Sequence, residues 1–173
     1  MLCEEAISAI PDNHLYREVA YSLHRTGIRA INGQFREFMY DSYKQVSFEQ
    51  YFKMTEQKAG SLTACACKIG AILGKAETRV IQDMEQFGVI LGILGQIIND
   101  LKDFLDFPKK NDFINNKKTL PNVYLLNTLQ GEMAERFKDL TQKVSEGAYR
   151  IKDMDREYIK QLALEEGVVP YCT

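Results

Sequence analysis

At 173 residues the chain is long enough for one domain with a substantial core, and 45% hydrophobic with 27% charged residues is the balance of a soluble globular protein. A formal net charge of −2 excludes a broad basic field for nucleic acid, so any anion site has to be built locally. The longest uncharged run, Phe87 to Ile98, is about 12 residues, too short to cross a bilayer, and reads as a buried core helix. Glu4 and Glu5 stand where a signal peptide needs basic residues, so the expected location is cytoplasmic.

In chain order, the first predicted helix runs from about Asn13 to Tyr43. Asp12 or Asn13 is its N-cap, and Asn32-Gly33 is a small interior break. Ser47 caps a second helix, with Gln50 three residues later completing a capping box, and this helix runs to about Gly74. A third runs from about Glu77 to Phe107. Between Pro108 and Pro121 the polar, Asn- and Lys-rich "KKNDFINNKKTL" is a loop. Shorter amphipathic helices follow over Asn122 to Leu129, Glu132 to Val144 and Asp153 to Glu165. The alternation expected of strands is missing, so the fold class is all-α, a bundle of long helices in one domain over residues 1–173.

The third helix ends in an unusual pattern. In "GQIINDLKDF", Gln96, Asn99, Asp100 and Asp103 follow i, i+3, i+4, i+7 spacing and share one side of a helix. Carboxylates leaving a largely apolar helix need partners, because an unpaired buried charge is costly. Oxygen donors on one helical side suit Mg²⁺, which takes one or two carboxylates and fills its other positions with water and phosphate oxygens. Lys58 and Lys117 are cations of the kind that hold phosphates. The plainer alternative is an exposed helix end with solubilising lysines. His14 and His24 have no acid or cysteine at ligand spacing and read as surface or packing histidines. Cys3, Cys65, Cys67 and Cys172 form no CxxC pair and read as free thiols of a reducing compartment.

Five segments match one family pattern in order. "GQIINDLKD" resembles the second aspartate-rich motif, FQ-x-x-DD-x-x-D, of trans-isoprenyl diphosphate synthases. "FGVILGILGQ" is similar to the glycine-punctuated run before it. "NKKTLP" resembles the GK-x-TLP segment, "EQKAGSLTACACKIGAILGKA" the KT-G-x-L helix, and "NGQFREF" the GQ-x-x-D-L helix. The resemblance covers residues 30 to 125 and implies an isoprenoid-synthase-type helical bundle performing Mg²⁺-dependent prenyl transfer from an allylic prenyl diphosphate. It carries metal binding to Asn99, Asp100 and Asp103. It carries diphosphate binding to Lys58 and Lys117, and a place beside the reacting carbons to Gln34. Gln96 takes the motif's glutamine position; with Lys58 and Lys117 it belongs to the implied catalytic set.

The departures are specific. Asn99 replaces the motif's first aspartate, Gly95 an aromatic residue, Ala59 a threonine, and Glu37 an aspartate. The weakened motif with "NKKTLP" also resembles a divergent branch, the bacterial ComQ-type enzymes, which would make a peptide the acceptor in place of isopentenyl diphosphate. The family's first motif, DD-x-x-D, has no counterpart before Gly33, so the chain reads as the C-terminal half to two-thirds of such a fold, N-terminally incomplete. Three readings are open. It is a fragment of a prenyltransferase, or a catalytic or regulatory subunit acting with a partner chain, or a helical interaction protein on the same scaffold. Apolar surface left by missing helices predicts self-association.

Overall fold

The computed structural model describes residues 2–105, 117–146, 148 and 151–173, and all regular structure among them is helical. In order these are α1 (Leu2–Ser8), α2 (Asn13–Asp41), α3 (Phe48–Thr55), a π-helical turn (Glu56–Gly60), α4 (Ser61–Leu73), α5 (Thr78–Leu105), α6 (Leu120–Thr128), α7 (Gly131–Ser145), α8 (Asp153–Glu165) and α9 (Val168–Cys172). Residues 106–107 of the predicted third helix, and most of the predicted loop with Lys109, Lys110 and Asn116, lie outside the described residues.

Local sequence explains most boundaries. The Asp12 carboxylate accepts the backbone N–H groups of His14 (2.8 Å) and Leu15 (3.0 Å), and so caps α2. Ser47 and Gln50 form the expected box: Gln50 Oε1 accepts the Ser47 N–H at 2.8 Å and Ser47 Oγ the Gln50 N–H at 3.2 Å. Pro121 falls in the first turn of α6, where its missing N–H costs nothing, so that helix begins two residues before the predicted start. The helix α8 has the predicted bounds. The short terminal helices α1 and α9 carry too few turns for periodicity to register.

The chain forms two compact units: Met1–Phe35 with Met54–Gly95, and Arg36–Lys53 with Gln96–Thr173. In the first, close backbone approach organises the packing. A Cβ on Gly33 would collide with the backbone of Gln57 and Lys58, and one on Gly92 with Thr63 and Gly60. Gly33 is therefore no break, since α2 is continuous through it; it is the point where α2 meets the π-helical turn. Thr63 Oγ1 donates to the Gly88 carbonyl at 2.6 Å, and ion pairs Arg29–Glu56 and Lys68–Glu85, both at 2.7 Å, lie across helix pairs. The single second helix of the sequence reading is in fact α3 and α4 joined by that π-helical turn.

The run Phe87 to Ile98 is not a buried core helix. Phe87, Ile90, Leu91, Leu94 and Ile98 are all exposed, Phe87 by 54% and Leu94 by 50%. Gly88 and Gly92, one turn apart, take the face against α4, so the large side chains point elsewhere. Ile28, Ile31 and Phe35 on α2 are exposed as well.

The second unit has a conventional apolar core around Tyr51, Leu120, Leu125, Phe137, Ile159 and Val168, each almost fully buried. Here α6 packs against α7 and α9, and α9 against α8. The rings of Tyr124 and Tyr171 meet at 4.6 Å between centroids, tilted by 43°, and tie α9 to α6, while Tyr124 Oη donates to the carbonyl of Glu166 at the end of α8 at 2.9 Å. Cys65 and Cys172 are buried free thiols and Cys67 is half-buried, while His14 and His24 are exposed. Among the described residues no helix is long and apolar enough to cross a membrane.

Candidate functional site

The seven site residues expected from sequence fall into two groups, one in each unit. In the first unit, Gly33 lies against the backbone of Lys58, which places Gln34 and Lys58, both part-buried, at the crossing of α2 and the π-helical turn. A π-turn widens the helix by one residue per turn and re-aims the side chains it carries, a device concentrated at functional sites. Lys58 sits in the middle of this one.

In the second unit, α5 presents Gln96, Asn99, Asp100 and Asp103. They share a polar side of the helix but not an environment. Asn99 is exposed, Gln96 and Asp103 are part-buried, and Asp100 is 5% exposed. The Asp100 carboxylate is hydrogen-bonded on both oxygens. Oδ2 accepts from Tyr51 Oη at 2.7 Å and from the Leu120 N–H at 2.9 Å; Oδ1 accepts from Gln96 Nε2 at 2.7 Å. Charge-assisted bonds to a buried carboxylate are the strong kind, and Leu120 N is one of the unpaired amides at the start of α6. Cys172 lies close enough to sense this charge. Burial first, then the Asp100 carboxylate, pushes its thiol up to about 11.

The segment leading to α6 is held at several points. Asn122 Nδ2 donates to the Lys117 carbonyl at 3.0 Å. Lys118, not Lys117, is the buried lysine of the pair, at 4% exposure. Burial pushes its ammonium down to about 8, with Asp41 pulling the other way. Between that value and the ordinary 10.5, the unfolded chain holds a proton that the folded chain has released. The contribution of Lys118 to stability therefore rises with pH across this window. Denaturant unfolding of wild type and Lys118→Met should show the difference moving in favour of wild type between pH ~8 and ~10. A difference that is flat, or moves the other way, would contradict the placement of Lys118.

Tyr51 is the site neighbour that sequence reasoning missed, while Lys118 reads there only as Lys117's companion in "NKKTLP". Tyr51 lies two helical turns before Lys58 and belongs to no motif. Only the tertiary contact marks it.

Asn99 and Asp103 offer oxygen atoms of the kind a hard divalent ion takes, while Asp100 is turned inward and committed. Among the described residues no three His, Cys, Asp or Glu side chains are grouped to hold a metal.

Comparisons with known proteins bear on the fold and the family. The fold is that of prenyl synthases. Polyprenyl synthetase from Streptomyces coelicolor A3(2) superposes with a TM-score of 0.81 at 26% identity, over 99% of this chain and 52% of that one. Geranylgeranyl pyrophosphate synthetase from Pyrococcus horikoshii Ot3 gives 0.82 at 22% identity over 97% and 51%, a likeness of fold alone. By sequence, geranylgeranyl diphosphate synthase of Saccharolobus solfataricus is 26% identical over 170 residues, covering 93% of this chain and 50% of that one. A geranylgeranyl diphosphate synthase of Mycobacterium tuberculosis is 32% identical over 102 residues, 56% of this chain and 29% of that protein. A sequence model of the polyprenyl synthetase family matches residues 1–157, and the chain belongs to that family. It spans about half the length of the relatives that match most of it.

Proposed function

We propose that this chain supplies one side of a Mg²⁺-dependent prenyltransferase site for an allylic prenyl diphosphate. The observation that carries the reading is the family match over residues 1–157, together with the ordered recurrence of Lys58, Gln96, Asp100, Asp103 and Lys117 at motif positions. Lys58 and Lys117 bind the diphosphate oxygens as point charges. Asn99 and Asp103 make up the second-motif side of the metal site, and Asp100, the motif's other position, stands between them on the helix with both oxygens hydrogen-bonded. Gln96 orients the end of this motif through its bond to Asp100. Gln34 stands near the reacting carbons. A bound divalent ion supplies charge neutralisation on the departing diphosphate. The chain's own part is to bind and orient the diphosphate. The acceptor is either isopentenyl diphosphate or a peptide.

Calorimetric titration of the purified chain with a non-hydrolysable allylic diphosphate analogue tests this. Binding is expected with Mg²⁺ and not without it. Lys58→Ala and Lys117→Ala should each weaken it by about tenfold, the worth of one charge-assisted contact. Absence of binding in the wild type with Mg²⁺ would sink the reading for this chain.

A second reading is favoured by one observation, the exposed apolar residues Ile28, Ile31 and Phe35 on α2 and Phe87, Leu91 and Leu94 on α5. Such residues suit a partner chain or a second copy, in a complementing or regulatory subunit. Sedimentation at micromolar concentration separates the two. A clean monomer that binds the analogue supports the first reading alone.

A further inference from the structure

We infer that Asp100 is a positioning residue: it fastens the segment Lys117–Leu120 to α5, and does so in place of ligating a metal. The fastening stands on geometry alone, while its consequence for Lys117 rests on the diphosphate reading above.

Three donors from three separate places converge on one carboxylate. Tyr51 comes from α3, Gln96 from the preceding turn of α5, and Leu120 from the first residue of α6. Both in-plane lone pairs of Oδ2 are taken by Tyr51 and Leu120, so a cation can reach that atom only by breaking one of these bonds. Oδ1 is engaged by Gln96, and the residue is 5% exposed. A cation held at this helix end therefore meets the exposed Asn99 and the part-buried Asp103 before it meets Asp100.

The fastened segment is short and otherwise bound at the Lys117 carbonyl by Asn122 and buried at Lys118 and Thr119. Lys117 is the part-exposed residue of the three that precede α6. Securing the Leu120 amide fixes the backbone from which the Lys117 side chain departs. An acceptor-only group is required at position 100, because an asparagine there would turn an N–H toward one of three donors.

The first test uses no ligand. Native-state amide exchange is followed by NMR in wild type, Asp100→Asn and Asp103→Asn. Asp100→Asn should speed exchange at Leu120 by tenfold or more while leaving Ile72 of the first unit unchanged, and Asp103→Asn should leave Leu120 as it is. Unchanged protection of Leu120 in Asp100→Asn would overturn the inference. Should that variant fail to fold, Tyr51→Phe serves instead. With one donor removed from Oδ2, the Leu120 amide proton should move downfield, and an unmoved resonance overturns the proposal equally.

The second test reads the consequence in analogue titrations. Asp100→Asn should weaken binding by about the factor that Lys117→Ala does, with the double variant no weaker than Lys117→Ala. The Mg²⁺ concentration at half-saturation should stay at the wild-type value. A higher Mg²⁺ requirement, or additive losses, would make Asp100 a ligand. If the wild type fails to bind, the diphosphate reading falls, and the exchange result still decides the fastening.

Discussion

Gly88→Ala is expected to destabilise the chain by about 2–3 kcal/mol, whereas Gly95→Ala, two turns further along the same helix, is expected to stabilise it by up to about 1 kcal/mol. A Cβ on Gly88 would lie 2.5 Å from the Ala64 Cα and 2.6 Å from the Thr63 carbonyl oxygen. These are backbone atoms of α4 and cannot swing aside, so the two helices must separate. Separation also stretches the 2.6 Å bond from Thr63 Oγ1 to the Gly88 carbonyl and strips contacts along the pair. Nothing lies within 4 Å of a Cβ on Gly95, so only the helix-propensity gain remains there. Denaturant midpoints at unchanged slope would report both signs. Equal shifts in the two variants would refute the close approach of α4 and α5.

That contrast shows what a sequence holds and what it leaves out. The glycine-punctuated "FGVILGILGQ" marks the stretch as special, yet its three glycines look alike until α4 is in place. Helix positions were legible because burial leaves a 3.6-residue trace and because Asp12, Ser47 and Gln50 carry capping chemistry that acts within one turn. The π-helical turn left no trace. Five residues with one extra per turn do not disturb the pattern of a long helix, and Gly60 at its end has other uses. The burial of α5 was misread because an uncharged run says nothing of how many neighbours it has, and the exposed Phe87 and Leu94 show the difference.

The site was legible as residue identities and not as roles. Asn99 and Asp100 are adjacent on the helix, about 100° apart, and periodicity assigns both to one polar side. What separates them is tertiary. Tyr51 and the Leu120 amide lie where Asp100 points, and solvent lies where Asn99 points. The same holds for Lys117 and Lys118. Motif spacing favoured the first, and packing buries the second.

Asn99→Asp is the change expected to gain most. It should tighten Mg²⁺-dependent binding of the diphosphate analogue by roughly ten- to a hundredfold, about 1.4–2.7 kcal/mol. The argument starts from exposure. Asn99 faces solvent, so the substitution disturbs no core contact, and the fold should tolerate it. Position 99 is where the motif of the related enzymes has its first aspartate, and asparagine there offers one neutral oxygen. A carboxylate adds a full negative charge beside a divalent cation, an interaction of several kcal/mol near a protein surface before desolvation is subtracted. Without Mg²⁺ the new acid stands one turn from Asp103, and this like-charge pair should cost a few tenths of a kcal/mol. The variant should therefore unfold slightly below wild type in chelator and above it in millimolar Mg²⁺. That crossing, seen in paired thermal scans, reports metal binding by the helix end independently of any substrate. Curves that keep the same order in both buffers would mean that residues 99 and 103 do not share a cation, and the metal half of the proposed site would fall with them.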